Sequence, residues 1–583
     1  MESTGEVRLV STSAETIFGE PVEVVSAYAP NDVPRALSRA EHFVRQGLCA
    51  IGFIGYEAAT ALDRALCTHA PQAGLPVLWL GFYDASEERP PPLPRDEHAA
   101  SSVVSGDWHP LLGRRDYLDA VTRIREWIAA GHTYQVNYTF PLEAPFCGDP
   151  RATFYRLCAV QPSEYAAYVD TGRHVIVSIS PELFFDLQGN RLTTRPMKGT
   201  RPRGRWSGED RLLADELTNS PKDRSENAMI VDLLRNDMGR LSAPGSVRVR
   251  RFATLEQYPT VWQLTSTITS RTKASVPELL RALFPCGSVT GAPKVRTMEI
   301  IRDLELFPRG VYCGAIGRWG PERQARFNVA IRTLTIDREA GRARYPVGGG
   351  ITWDSSPEDE YRECLAKAAV LSRVPAPRFN LLESLLFEQG AYFLLEEHLS
   401  RLAASASYFG RPLDRGALRE ALLSRPWTRP PTSHDRRLKV RVLVRADGTT
   451  QIEAAPLASL GEPRVGLAAT PVDPRDVFLY HKTTNREVYD RARAERPDCN
   501  DVVLRNDRGE ITETSIANLV LELDGERFTP PLDCGLLPGV FRDHLLREGL
   551  IEERALTSAD LSRADTVWMV NSVRKWTRVR VVE

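Results

Sequence analysis

This chain lacks any excess of positive or negative charge. Its 75 basic and 76 acidic residues leave a formal net charge of -1 over 583 residues, so nothing draws it to nucleic acid or to an anionic membrane, and neither is expected as a partner. Cysteine is scarce: nine residues, odd in number and scattered, with no Cys-x-x-Cys pair. That excludes zinc-ribbon and dithiol chemistry and fits reduced thiols in the cytoplasm. No uninterrupted apolar run approaches the roughly 18 residues needed to span a bilayer. The opening Met1-Glu2-Ser3-Thr4-Gly5-Glu6 has neither a basic nor an apolar leader segment, and internal repeats of solenoid type are missing too. A soluble, unexported enzyme acting on small molecules is the expectation.

The chain is too long for one core, and about 150 residues per domain predicts two to four domains. Arg89-Pro90-Pro91-Pro92-Leu93-Pro94-Arg95 cannot continue a ladder or a helix and reads as an exposed loop. It divides an N-terminal lobe, about 1–105, from a catalytic segment, about 106–375. Val374-Pro375-Ala376-Pro377 follows a helical pattern over Glu360–Leu371 and precedes a strand-like run, Phe379–Leu386, which places the main boundary near 375 and a second domain over 376–583. A third breaker, Arg425-Pro426-Trp427-Thr428-Arg429-Pro430-Pro431, separates a helical stretch from the strand Leu438–Val444 and reads as a loop inside that second domain.

Chemistry gathers around two lysines. Asp223 and Glu226, and likewise Glu360 and Glu363, are spaced i,i+3 in helical stretches, so each pair lies on one helix face. Two such faces brought together suit Mg²⁺, which keeps several waters and takes one or two direct carboxylates; spacing alone favours reading them as the solvated faces of amphipathic helices. The loop Gly287-Ser288-Val289-Thr290-Gly291-Ala292-Pro293-Lys294 offers small residues and a helix start that can turn N–H groups toward an anion.

The order of these pieces resembles the chorismate-utilising enzymes. The matching stretches are Tyr134-Gln135-Val136-Asn137, Ser180-Pro181-Glu182-Leu183-Phe184, Pro196-Met197-Lys198-Gly199-Thr200, Lys222-Asp223-Arg224, the Gly287–Lys294 loop, Tyr312-Cys313-Gly314, Ala330-Ile331-Arg332-Thr333 and Gly348-Gly349-Gly350-Ile351. Together they cover about 115–370. A lysine at 198 is similar to aminodeoxychorismate synthase component I, where anthranilate synthases carry alanine. The resemblance implies Lys198 as the nucleophile at C2 of chorismate, with Glu182 as general acid for the departing 4-hydroxyl and ammonia adding at C4. It implies Glu226 and Glu363 as direct Mg²⁺ ligands, with Asp223 and Glu360 in support. It places Gln135, Thr290, Gly291, Lys294, Tyr312, Arg332 and Gly349 around the substrate, Arg332 and Tyr312 on the enolpyruvyl carboxylate. Gln135 stands where water-using relatives carry a lysine base. Gln263 stands where relatives commonly have His, which fits an enzyme that stops at aminodeoxychorismate. There is no Gly-x-Cys-x-Gly elbow with a downstream His-x-Glu, so ammonia is expected from a separate glutamine amidotransferase subunit or from solution.

The second lysine sits in His481-Lys482-Thr483-Thr484-Asn485-Arg486. Downstream lie Gly509-Glu510-Ile511-Thr512-Glu513-Thr514-Ser515-Ile516-Ala517-Asn518 and Leu536-Leu537-Pro538-Gly539-Val540-Phe541. A pyridoxal phosphate site needs a lysine for the aldehyde, a partner for the pyridine nitrogen, and N–H groups with an arginine for the phosphate. Taken singly, each residue is a surface lysine, a strand-end carboxylate or a turn. In this order they resemble the fold-type IV pyridoxal phosphate enzymes, over most of 378–575. The resemblance implies Lys482 as the cofactor lysine, Glu513 at the ring nitrogen, and Arg401, Asn518, Leu537, Gly539 and Val540 as further cofactor contacts. Phe541 occupies a place where many relatives have a phosphate-binding threonine.

The expected fold is α+β: large antiparallel sheets flanked by helices, followed by a two-subdomain α/β domain of fold-type IV. The expected activity is synthesis of 4-aminobenzoate in two steps, amination of chorismate and then elimination of pyruvate. Two alternatives stay open: an anthranilate-type synthase joined to an aminotransferase, and a synthase whose C-terminal domain is not catalytic. A homodimer through the second domain is also left open.

Overall fold

A computed structural model describes residues 5–84, 86–89, 107–375, 377–428, 437–459 and 461–582. The proline stretches 90–95 and 429–431 lie outside the described residues. The chain folds as two units. The first comprises Met1–Pro202 and Ala214–Ala376, and the second Arg203–Leu213 and Pro377–Glu583.

The first unit is built on two ten-stranded sheets. One contains Gln135–Pro145 beside Arg342–Ile351, then Thr333–Asp337, His174–Ser178 and Ala166–Asp170; the other contains Met197–Pro202, Val261–Arg271, Arg191–Arg195, Leu183–Gln188, Gln324–Val329 and Ala315–Gly320. The pairings among these strands are antiparallel. A core of Val7, Phe18, Ile51, Phe53, Trp79, Val169, Ile176 and Ile316 draws on both sheets. The helices Arg114–Ala129, Lys294–Leu304 and Pro357–Ala368 cover the first sheet, and Val33–Arg45, Pro221–Gly239 and Val276–Leu283 cover the second. Near-continuous burial along Gln135–Pro145 follows from this arrangement, because a strand covered on both faces has no solvent side.

Local chemistry sets the helix starts that matter. Ser220 accepts a hydrogen bond from the Asp223 N–H at 3.2 Å and Pro221 opens the first turn, which fixes where Asp223 and Glu226 stand. Ser275 and Glu278 form a capping box. Among the described residues no helix is long and apolar enough to cross a membrane.

The second unit has a four-stranded antiparallel sheet carrying Leu381–Glu388 and Leu438–Val444, packed against the helices Leu395–Tyr408 and Arg415–Leu423. Leu438–Val444 alternates inward and outward with period two. An eight-stranded mixed sheet carries Asp501–Arg505, Ile511–Thr514 and Asn518–Leu523; Arg464–Leu467 runs parallel to two neighbours. Mixed antiparallel and α/β layers of this kind are what the α+β expectation describes.

Candidate active sites

In the first unit, Lys198 lies in the strand Met197–Pro202 and its surroundings are fastened residue by residue. Asn227 Nδ2 donates to the Lys198 carbonyl at 2.7 Å, Gln263 Nε2 to the Gly199 carbonyl at 2.8 Å, and the Thr200 hydroxyl to Gln263 Oε1 at 2.8 Å. Gly199 has φ +86° and a Cβ there would approach Asp223 at 3.0 Å, so glycine is required.

Lys198 Nζ faces Glu226 Oε2 at 3.4 Å. A Cβ added at Gly350 would sit 2.6 Å from Lys198 Nζ and 2.8 Å from Gln135 Nε2, and one added at Gly349 would sit 2.8 Å from Glu360 Oε2. The bare glycine wall therefore leaves room where Lys198, Gln135 and Glu360 converge. Gln135 is fully buried and, among the described residues, neither polar atom of its amide has a hydrogen-bond partner. Glu182 is buried and its Oε1 is also without one. Two orphaned polar groups beside one lysine mark a place shaped for a polar ligand.

Burial pushes the Glu182 carboxyl up to about 7, against the opposing pull of Ser288 and Lys198. Two carboxylates one helical turn apart are driven in opposite directions. Burial raises Glu360, whose Oε1 accepts from Ser355 at 2.7 Å, while Lys367 at 2.8 Å lowers Glu363. Lys198 acts on both electrostatically. Asp223 pairs with Arg201 at 3.1 Å. Among the described residues no group of three or more His, Cys, Asp or Glu stands at metal-ligating spacing. Glu226, Glu360 and Glu363 around one lysine still fit an ion that needs only one or two direct carboxylates.

The remaining residues expected around the substrate divide. Gly291 lies where a Cβ would meet the Gln135 carbonyl at 2.0 Å, and the buried Thr290 turns its hydroxyl to the Cys286 and Gly287 carbonyls. Arg332, in the left-handed region at φ +51°, donates to the Lys367 carbonyl. Tyr312 is buried in the core. Lys294 is committed elsewhere, to Asp237 Oδ2 at 2.9 Å and the Leu283 carbonyl at 3.2 Å. Lys367, which also donates to the Gly348 carbonyl at 2.8 Å, stands beside the candidate site although no motif reading reaches it; its i,i+4 spacing from Glu363 is the one signal it carries.

In the second unit, the Lys482 carbonyl accepts from the Leu382 N–H at 2.9 Å. Burial and the nearby Arg401 and Arg486 bring its amine down to about 8. Glu513 is buried, accepts from Tyr489 OH at 2.8 Å, the Leu537 N–H at 3.2 Å and Asn518 Nδ2 at 3.1 Å, and is pushed up to about 7 by burial. Asn518 Nδ2 also reaches the Leu537 carbonyl at 2.8 Å, and a Cβ at Gly539 would collide with Asn518 Oδ1 at 1.9 Å. Gly539 caps the helix Val540–Arg547. Arg401 makes a bidentate pair with Glu383, 2.8 Å on each arm, and donates to the Pro538 carbonyl at 2.9 Å. His398 Nδ1 stands 2.8 Å from Glu383 Oε2, and Arg401 with His398 hold Glu383 far below the usual carboxylate range despite its burial. Phe541 packs against Phe393 and His544. Tyr489 and Glu383 join this candidate site beyond the residues to which the resemblance gives a role.

Residues 6–373 match the family model described as chorismate binding enzyme. The chain belongs to the chorismate binding enzymes. Residues 380–582 match the model for amino-transferase class IV, a class that implies pyridoxal phosphate, so the chain is a fusion of the two families. Aminodeoxychorismate synthase component 1 of Salmonella typhimurium is 36% identical over 340 residues, 54% of this chain and 74% of that protein. Anthranilate synthase component 1 of Haloarcula marismortui is 40% identical over 287 residues, 49% of this chain and 55% of that protein. The crystal structure of anthranilate synthase component I from Streptococcus pneumoniae superposes with a TM-score of 0.55 at 25% identity, covering 62% of this chain and 92% of that one. In this chorismate binding enzyme Gln263 latches the backbone around Lys198, which gives the residue a structural role of its own.

Proposed function

We propose that this fusion makes 4-aminobenzoate from chorismate in two steps. The observation that carries the reading is the meeting of Lys198 with Glu226, the unpartnered Gln135 amide and the buried, unpartnered Glu182 oxygen against a glycine wall. In the first step the Lys198 amine bonds to C2 of chorismate. The ring electrons shift, and the 4-hydroxyl leaves with a proton from Glu182. Ammonia then bonds at C4 and the lysine departs. An environment that holds Glu182 near 7 keeps that proton available at neutral pH. Arg332 and Tyr312 would bind the enolpyruvyl carboxylate. Mg²⁺ would be held by Glu226 and Glu363, with Asp223 and Glu360 in support, and would neutralise the ring carboxylate and the developing charge. A glutamine amidotransferase component would supply the ammonia.

In the second step the cofactor lysine would be Lys482. Pyridoxal phosphate, when bound, supplies the electron sink. The buried Glu513 would face the pyridine nitrogen, and the N–H groups at Gly539–Val540 with Arg401 suit the phosphate. With an amine near 8, Lys482 can take the C4 proton, after which pyruvate leaves and the ring becomes aromatic. We read this activity as the lyase and the protein as cytoplasmic.

Product analysis tests the scheme: purified chain with chorismate, Mg²⁺ and ammonium, with and without pyridoxal phosphate. 4-Aminobenzoate and pyruvate are expected only with the cofactor, and aminodeoxychorismate without it. Anthranilate as the product would overturn the reading of Lys198.

A further inference from the structure

The segment Arg203–Leu213 belongs by sequence to the first half, directly after the strand that carries Lys198, yet it folds with the second unit. It is closed on itself. Arg203 makes a bidentate pair with Asp210, 2.7 Å on each arm, and Asp210 Oδ1 also accepts from the Gly204 N–H at 2.9 Å. Arg205 pairs with Glu209 at 2.8 Å. A Cβ at Gly204 would lie 2.1 Å from the Asp210 nitrogen, so no other residue fits. The Arg203 and Asp210 side chains are only 4% and 9% exposed, and a buried pair of this kind persists only when each partner keeps the other.

The outer side of this loop grips the residues leading into Lys482. Trp206 packs on the Tyr480 ring at 5.2 Å and Arg205 reaches Tyr480 OH at 3.4 Å. Arg203 lies over the Tyr408 ring at 4.4 Å and donates to its carbonyl at 3.2 Å, while Tyr408 OH donates to the Gly204 carbonyl at 2.8 Å. Tyr408 in turn stacks on His481 at 4.3 Å, and Ser405 Oγ holds His481 Nδ1 at 2.9 Å. On the far side of the lysine, Leu382 N–H to the Lys482 carbonyl and Thr484 N–H to the Asn380 carbonyl, each 2.9 Å, tie the same segment to the small sheet. Lys482 is thus clamped between a sheet edge and the Arg203–Leu213 loop.

We propose that Arg203 and Trp206 are positioning residues for the second site, holding the Tyr480–His481 flank so that Lys482 is set for the cofactor aldehyde. The inference rests on the reading of Lys482 as the cofactor lysine. It makes the second activity dependent on sequence lying inside the first.

The test uses the full chain carrying Trp206→Ala, Trp206→Phe and Tyr408→Phe. Without cofactor, amide exchange over 479–484 should quicken about tenfold in Trp206→Ala, the worth of one aromatic pair. Its affinity for pyridoxal phosphate should fall by about the same factor. The pH midpoint of the visible absorbance should move as well, and Trp206→Phe should restore both. Tyr408→Phe, which loses one hydroxyl and disturbs little else, should give a smaller shift in the same direction and decides the matter if Trp206→Ala fails to fold. Exchange, affinity and pH midpoint equal to the parent's in Tyr408→Phe and in every folded Trp206 variant would overturn the positioning role alone. A visible absorbance that survives Lys482→Ala would overturn the reading beneath it as well.

Discussion

The two lysines meet opposite surroundings. Lys198 stands among carboxylates, 3.4 Å from Glu226 and within electrostatic reach of Glu360 and Glu363, beside a wall with no side chains. Lys482 is buried with Arg401 and Arg486 acting on it, and its amine is brought down to about 8. Burial beside cations favours the free amine of Lys482, against the opposing pull of Glu383 and Glu513. The contrast teaches that one fold leaves room around its lysine beside carboxylates, while the other buries its lysine so that loss of the proton comes nearer to neutral pH.

Exchanging the lysines for alanine should separate the steps most sharply. Lys482→Ala should slow pyruvate release by about 10²–10⁴-fold or more, with aminodeoxychorismate accumulating in the mass spectrum. Lys198→Ala should stop amination and leave the cofactor absorbance intact; 4-aminobenzoate formed at the parent rate in either variant would erase the contrast. Glu182→Gln comes next, with amination down about 10²-fold. Since Glu182 loses its proton as pH rises past about 7, parent amination should decline across that value, and a rate profile of the glutamine variant should lack the decline. Gly350→Ala fills the space beside Lys198 Nζ and should cost about 10²-fold in amination while the thermal midpoint stays near the parent's. The smallest effect is expected for Glu513→Gln, about tenfold in pyridoxal phosphate affinity, read by titrating the absorbance.

Much of both sites is legible in the sequence. The lysine motifs, the paired acids, the Gly287–Lys294 loop ahead of a helix and the alternating strand Leu438–Val444 all rest on neighbours within a few residues. Lys294 shows the limit. The loop it ends puts it among the expected substrate contacts, but it is held by Asp237, a partner 57 residues away whose approach no local pattern reports. The Gln135 amide is a second case: the sequence shows a glutamine in place of a lysine, and only packing shows that it is buried with no partner among the described residues.

By itself, then, the sequence determined the two lysine motifs and the families they resemble, the helix starts capped by Ser220 and Ser275, and the left-handed turn at Gly199, because caps and turns are settled by nearest neighbours. Only the tertiary structure decided which carboxylates surround Lys198, which cations bear on Lys482, and that Arg203–Leu213 folds with the second unit. Those outcomes depend on which distant segments are buried together, and the energy of a charge is set by what is buried beside it rather than by what precedes it in the chain.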